Sequence, residues 1–127
     1  MIDDLLEPLI AFRRDIHAHP ELGFCEHRTA GRIADQLRAL GLEVHEGIGG
    51  TGVVAVLKNG SSSRSIGLRA DMDALPIHEQ TNLPYASKTE GAFHGCGHDG
   101  HVAMLLGAAQ HLARSAKQHC DMAVMAA

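Results

Sequence analysis

A dense group of metal-ligating residue types lies in one short stretch, residues 94–101, which reads His-Gly-Cys-Gly-His-Asp-Gly-His. Cysteine thiolate and neutral imidazole are preferred ligands of Zn²⁺ and related ions. Cys96 and His98 would point about 200° apart on a helix, so they can share a metal ion only from a loop. The interleaved glycines favour such a loop. A lone cysteine or histidine is usually structural, but four candidate ligands in eight residues favour a metal site.

Two aspartates form a second candidate group. Asp71 and Asp73 follow an apolar segment that ends at Ala70, in the string Arg-Ala-Asp-Met-Asp-Ala-Leu-Pro. Carboxylates at the carboxyl end of a strand can bind a hard cation, orient a histidine or hold a base. The pair taken alone fits two acids in a solvated turn equally well.

Two further strings are weaker candidates. His17 and His19 could be ligands or acid–base groups, but a helix-ending turn held by polar side chains is the favoured interpretation, because Pro20 disfavours helical geometry at His19. The glycine-rich residues 47–52 resemble a phosphate cradle only superficially. They precede a strand and lack the Lys-Ser/Thr ending, so we expect no nucleotide site.

Apolar spacing predicts an α/β fold that positions these groups. Residues 72–98 show little periodicity and are predicted to form a functional loop region. The last two strands are predicted to form a hairpin or to lie near each other, and Asp99 is predicted to cap the last helix. The predicted helices cover 3–16, 26–40 and a segment that starts at Gly100, and the predicted strands cover 42–45, 53–57 and 66–70.

Composition excludes several classes of protein. The 127 residues suffice for one small domain, and 11 Lys plus Arg against 15 Asp plus Glu give a net charge of −4. This charge disfavours nucleic-acid binding. No segment approaches the roughly 18 apolar residues of a membrane span, and the acidic amino terminus is unlike a secretory signal, so we expect a cytoplasmic protein without a membrane partner. The three cysteines do not fit a disulfide framework.

Four strings carry a family resemblance: RRDIHAHPELGF, GIGGTGVVAVL, IGLRADMDALPI with TNLPYAS, and FHGCGHDGHVAMLLGAA. In identity and order they closely resemble the amino-terminal part of the M20-type metal-dependent amidohydrolases, which include hippurate hydrolases, indole-acetyl-amino-acid hydrolases and N-acyl-amino-acid deacylases. The resemblance runs from about Leu5 to Arg114. It implies the truncated amino-terminal part of an aminopeptidase-like catalytic domain, with helices packed on a mixed β-sheet. It also implies hydrolysis of the amide bond of small N-acyl amino acids.

The resemblance assigns roles to individual residues. It makes Cys96 a thiolate shared between two divalent ions and His98 a metal ligand. It makes Asp73 the catalytic-site aspartate that supports the metal-bound histidine or water, whereas Asp71 sits where related peptidases place a metal histidine. The complete site holds two ions, with manganese, zinc, cobalt and nickel as candidates. Full-length relatives are expected to be homo-oligomers that associate through a lid domain.

The sequence departs from the family pattern near Ser115. Family members continue with an apolar segment to a Glu-Glu pair, which supplies the general base and a ligand, and then with two more histidines. Residues 115–127 read SAKQHCDMAVMAA instead, an atypical tail. We therefore expect residues 1–127 to be part of the catalytic domain, without the lid and inactive alone.

Other functions remain open at this point. The alternative to an enzyme is a non-catalytic fragment that binds metal or packs against a partner. A structural zinc module would need more ligands at a more regular spacing. If the chain were active alone, its base would be sought at Glu79, Glu90 or His101.

Overall fold

The computed structural model describes residues 3–115 and 120–127. In chain order, these residues form α1 (Asp3–Ala18), α2 (His27–Ala39), β1 (Glu43–Ile48), β2 (Gly52–Leu57), β3 (Ser65–Ala70), α3 (His98–Arg114) and β4 (Asp121–Ala126).

The first helix forms where the apolar spacing predicts it. Leu5, Phe12 and Ile16 recur at helical intervals and are buried on one face of α1. Asp3 and Asp4 occupy its first turn, where the helix dipole favours negative charge. The predicted helix over 3–16 is confirmed and extends two residues further, to Ala18.

The second helix also matches its prediction to within one residue at each end. α2 buries Ile33, Ala34 and Leu37. Gly41 follows it with a φ of 80°, a left-handed conformation that a residue with a side chain rarely adopts and that ends the helix.

The four strands form one mixed sheet in the order β1-β2-β4-β3. β1 and β2 make an antiparallel hairpin, and its turn contains Gly49 and Gly50 with φ values of 64° and 113°. β4 runs antiparallel to β2 and parallel to β3. The predicted class, helices on a mixed β-sheet, is confirmed.

The predicted hairpin between the strands over 53–57 and 66–70 is wrong, although the two strands lie near each other, on either side of β4. β4 lies between β2 and β3, where Val124 is paired with Ala55 on one side and with Leu68 on the other. No strand is predicted in residues 115–127, yet β4 forms there and buries Met122, Val124 and Ala126 at alternate positions. The strand forms because both neighbours supply backbone partners, which local sequence does not reveal. Residues 116–119 of this tail lie outside the described residues.

Buried side chains from all three helices and from one face of the sheet form a continuous hydrophobic core. This core fixes the carboxyl end of β3 against the amino end of α3, the two points between which the candidate site lies. In the described part of the chain, no helix is long and apolar enough to cross a membrane. The core residues with at most 1% exposure include Ile16, Ile33, Leu37, Val53, Val102, Leu106 and Val124.

Candidate metal centre

The residues that the sequence singles out meet where α3 begins. Asp73 lies three residues after β3, and its neighbour Ala74 is fixed by a backbone hydrogen bond to the carbonyl of Glu21 at 2.8 Å. His98 is the first residue of α3. The segment between them contains no named helix or strand, as predicted for a functional loop region.

The imidazole of His98 is oriented by Asp73. Its Nδ1 atom lies 2.9 Å from the Oδ1 atom of Asp73 and 3.0 Å from the backbone oxygen of the same residue. Because both oxygens are acceptors, Nδ1 carries the hydrogen and donates it. The lone pair is then left on Nε2, the tautomer of a histidine that binds a metal through Nε2.

Cys96 lies beside this histidine in a turn. Its thiol is free and exposed, and it is followed by Gly97, whose φ of 79° is left-handed. Gly97 precedes the first helical residue, so the backbone reverses between Cys96 and His98. The predicted loop therefore exists, with the thiol and the imidazole on either side of a glycine.

His94 is buried next to the same turn. Only 3% of its surface is exposed, and neither ring nitrogen has a hydrogen-bond partner among the described residues. Burial lowers the pKa of His94; the charge of Asp99 opposes this shift, and His17 and His98 add to it. Buried polar groups without partners are rare, so His94 fits a site that binds a further group.

The donor set fits part of a metal site. Cys96 and His98 offer the sulfur and nitrogen ligands that divalent transition metals prefer. Within 3–115 and 120–127, however, no three His, Cys, Asp or Glu side chains are grouped so that they could hold an ion. Catalytic zinc sites take three protein ligands and a water, so the chemistry of these two residues fits part of such a site and not a whole one.

Of the other sequence candidates, His101 lies near His98, whereas Asp71, Glu79 and Glu90 have other surroundings. Asp71 binds Arg69, with 3.0 Å between Oδ1 and Nη2. The ring of His101 is 5.8 Å from that of His98, measured between centroids. Glu90 lies on the surface of the loop region, and Glu79 is buried elsewhere, against α1.

An open cleft of about 420 Å³ adjoins Asp73. Its walls include Phe24 and Ile48, which are 81% and 53% exposed, as well as Arg69 and Asp71. Apolar and charged side chains therefore line the space beside Asp73, a combination found in small-molecule sites.

The predicted capping role of Asp99 is wrong. The residue before α3 is Gly97, no side chain caps the helix, and Asp99 is completely buried. Its Oδ2 atom lies 2.7 Å from Nδ1 of His17 and 2.7 Å from Nε of Arg13. An acid at a helix start predicts a cap locally, but here α1 offers His17 and Arg13 as partners, which local sequence does not reveal.

His17 and His19 hold the end of α1, as the favoured interpretation predicts. His19 binds the backbone oxygen of Asp15 at 2.8 Å. The Nε2 atom of His17 lies 2.9 Å from Oε1 of Glu79. The contact of His17 with Asp99 is not predicted from the sequence, because the two residues are 82 positions apart.

Glu79 is held in its ionised form. Burial raises the pKa of this carboxyl, but hydrogen bonds from the Thr81 hydroxyl and the Ser87 N–H, together with His17, outweigh burial and lower the pKa below its ordinary value. The Ser87 N–H donates to Oε1 at 3.0 Å. Glu79 therefore ties the loop region to α1.

Comparison with known proteins places this arrangement in a family. Residues 67–125 match peptidase family M20/M25/M40. A hippurate hydrolase of Campylobacter jejuni is 57% identical over 110 residues, which are 87% of this chain and 29% of that protein. An N-acyl-L-amino acid amidohydrolase of Geobacillus stearothermophilus is 46% identical over 111 residues, 87% of this chain and 30% of that protein.

A solved structure agrees with these relatives. The Bacillus subtilis YXEP protein, a dinuclear metal-binding peptidase of the M20 family, has a TM-score of 0.90 and 42% identity, covering 97% of this chain and 35% of its own. The chain thus spans about a third or less of the length of these relatives. On sequence and on fold, it belongs to the M20 peptidase family and corresponds to the amino-terminal part of its amidohydrolase members.

Proposed function

We propose that this chain supplies one side of a two-metal site in an amidohydrolase that cleaves N-acyl amino acids, such as hippurate, to a carboxylate and a free amino acid. The observation that carries the proposal is the contact of Asp73 with Nδ1 of His98, beside the free thiol of Cys96. A carboxylate behind a histidine fixes its tautomer and makes it a better ligand.

Each residue has a defined task in this proposal. Cys96 supplies a thiolate and His98 its Nε2 lone pair, while Asp73 retains the hydrogen on Nδ1. When bound, divalent ions such as manganese, zinc, cobalt or nickel polarise a carbonyl group and lower the pKa of a bound water toward about 7. Two ions per complete site follow from the shared thiolate that the family resemblance implies.

The remaining groups of the site are proposed to come from outside these residues. Residues 1–127 contain no adjacent pair of glutamates. A hydrolase of this kind needs a general base in addition to the ions. We therefore regard residues 1–127 as an amino-terminal portion of the catalytic domain, without the lid and inactive alone.

The substrate class is supported by the cleft beside Asp73. Phe24 and Ile48 offer apolar surface for an acyl group, and the guanidinium of Arg69, which also binds Asp71, offers N–H donors for a carboxylate. A net charge of −4 disfavours a nucleic-acid partner. A cytoplasmic location, no membrane partner and homo-oligomers of full-length relatives belong to the same proposal.

A second candidate is a non-catalytic chain that binds metal weakly or packs against a partner. It is favoured by one observation: the described residues offer no group of three ligands for an ion. The two candidates differ in whether Cys96 and His98 support hydrolysis once the remaining parts of the site are supplied.

A chimera tests the proposal. Residues 1–114 of this chain replace the matching residues of the Campylobacter jejuni hippurate hydrolase, and release of glycine from hippurate is assayed with added Mn²⁺, Co²⁺ or Zn²⁺. We expect metal-dependent turnover that is lost in Cys96→Ala and in His98→Ala. Cys25→Ala, which removes another exposed thiol, is the matched control and should remain active. A folded but inactive chimera, or turnover that survives both replacements, would contradict the proposal.

A further inference from the structure

The first turn of α3 is anchored by two adjacent side chains that leave the helix in different directions. His98 contacts Asp73 in the loop after β3, and Asp99 contacts His17 and Arg13 in α1. Successive helical residues are rotated by about 100°, so the two anchors restrain the turn from two sides. Rotation of α3 about its axis would disturb both.

We infer that His17 is a positioning residue for the metal-binding imidazole, acting through Asp99 to hold the first turn of α3. The metal-binding role of His98 rests on the proposed function. The restraint on the His98 ring does not, and it can be measured in the metal-free chain. His17 would not touch the ion or the substrate, since both of its ring nitrogens face carboxylates.

The geometry around His17 is well suited to this role. His17 is 3% exposed and Asp99 is completely buried. The Nδ1 atom of the ring lies 2.7 Å from Oδ2 of Asp99, and Nε2 lies 2.9 Å from Oε1 of Glu79, so each ring nitrogen faces a carboxylate oxygen. The Nε atom of Arg13 lies 2.7 Å from the same Oδ2 atom of the buried Asp99, and charge-assisted hydrogen bonds of this kind are strong and directional.

The start of α3 has little else to fix it. Its N-cap is Gly97 in a left-handed conformation, and no side chain caps the helix. The local backbone contacts run from the N–H groups of Gly100 and His101 to the Gly97 carbonyl, at 3.0 and 3.1 Å. These bonds lie within the turn and do not tie it to another element. Apart from the contact of His98 with Asp73, Asp99 ties the turn to another element, and His17 and Arg13 hold Asp99.

The chain of contacts continues beyond His17. Glu79 accepts hydrogen bonds from the Ser87 N–H and from the Thr81 hydroxyl. The loop region therefore restrains the His17 ring on the side opposite Asp99. His17 is the link between the loop and the helix that carries the candidate ligand.

Two replacements of His17 separate the two bonds. Asparagine places its amide nitrogen near the position of Nδ1, so His17→Asn can keep the bond to Asp99 and loses the one to Glu79. Glutamine places its nitrogen near Nε2, so His17→Gln can keep Glu79 and loses Asp99. If His17 acts through Asp99, His17→Asn should keep the His98 ring in place and His17→Gln should not.

The readout is the tautomer of His98 in the metal-free 127-residue chain, measured by long-range ¹H–¹⁵N NMR at pH 8. In the unmodified chain and in His17→Asn, we expect a hydrogen fixed on Nδ1. In His17→Gln, we expect the two nitrogens to approach averaged shifts. A Zn²⁺ titration is the second arm, with affinity falling about tenfold or more in His17→Gln only.

Asp15→Asn is the matched control, because Asp15 lies on the same helix and ties it to α2 through Arg28 at 2.9 Å. It should weaken the fold, as judged by thermal melting, without changing the His98 tautomer. An unchanged tautomer in His17→Gln would overturn the inference, as would an averaged tautomer in the unmodified chain. Unfolding of both His17 variants would also overturn it, since His17 would then serve stability alone. A fixed tautomer in a chain that binds no Zn²⁺ would keep the positioning role and contradict the proposed function.

Discussion

The Oδ1 atom of Asp73 lies 2.9 Å from the Nδ1 atom of His98, and the backbone oxygen of Asp73 is 3.0 Å from the same nitrogen. One residue thus presents two acceptors to one ring nitrogen. The arrangement fixes the imidazole and leaves Nε2 free to bind an ion.

Replacing Asp73 by alanine should therefore weaken metal binding. The backbone acceptor remains, but the carboxylate that raises the basicity of the ring is lost, and we expect affinity for Zn²⁺ or Mn²⁺ to fall about 10–100-fold in calorimetric titration. Asp71→Ala is the control, because Asp71 binds Arg69 instead. Equal losses in both variants would indicate a general effect of negative charge.

Cys96→Ala should abolish metal binding by the 127-residue chain. The described residues offer no group of three ligands, so binding to the unmodified chain should be micromolar or weaker, far from the affinity of a closed four-ligand site. Calorimetry with Zn²⁺ measures both quantities, and Cys25→Ala is the control for an exposed thiol. Nanomolar binding, or binding that is indifferent to Cys96→Ala, would refute this ligand set.

Glu79 should make the free energy of unfolding depend on pH in the acid range. Its pKa is lower in the fold than its ordinary value of 4.5, so the folded state favours the carboxylate. This contribution is present above pH 4.5 and is lost as the pH falls through the lowered folded pKa. Urea unfolding should show Glu79→Gln less stable by about 1–3 kcal/mol near pH 7. The difference should shrink at acid pH, and a constant difference would contradict the assignment.

Some helices and strands can be predicted from the sequence and others cannot. The helices α1 and α2 are predictable because Ile16, Ile33 and Leu37 recur at helical spacing along continuous stretches. β4 is not predictable, since its six residues include two alanines and form a strand only between two partners that are distant in the chain. Pairing across the sheet outweighs a weak local preference.

The candidate site likewise contains residues whose roles can be predicted from the sequence and residues whose roles cannot. The family resemblance assigned Cys96, His98 and Asp73, and the structure brings Asp73 to His98. The role of Asp99 was predicted wrongly, because a local capping rule competed with partners on α1. Side chains that act locally can be inferred from sequence patterns, whereas a buried charge network depends on which helices pack together.

The 127-residue chain alone should show no amidohydrolase turnover. A two-metal hydrolase needs both the ions and a positioned general base, and each contributes orders of magnitude. Cys96 and His98 supply part of the first requirement only. Turnover is measured as the release of free amino acids from hippurate and other N-acyl amino acids, with Mn²⁺, Co²⁺ or Zn²⁺ added. Metal-dependent turnover that Cys96→Ala abolishes would show that a base is present, with Glu79, Glu90 and His101 as the candidates to replace next.

The 127-residue chain should also self-associate through the outer edge of β3. Within the described ranges, β3 is paired on one side only, with β4, and Ile66 on this strand is 52% exposed. Unpaired apolar strand edges are sites of intermolecular pairing, and a lysine at an edge opposes it. Sedimentation should therefore show association that grows with concentration and is reduced in Ile66→Lys. Leu6→Lys is the matched control, because Leu6 is 55% exposed but lies on α1. A monomer at all concentrations, or an equal effect of both replacements, would contradict association through this edge.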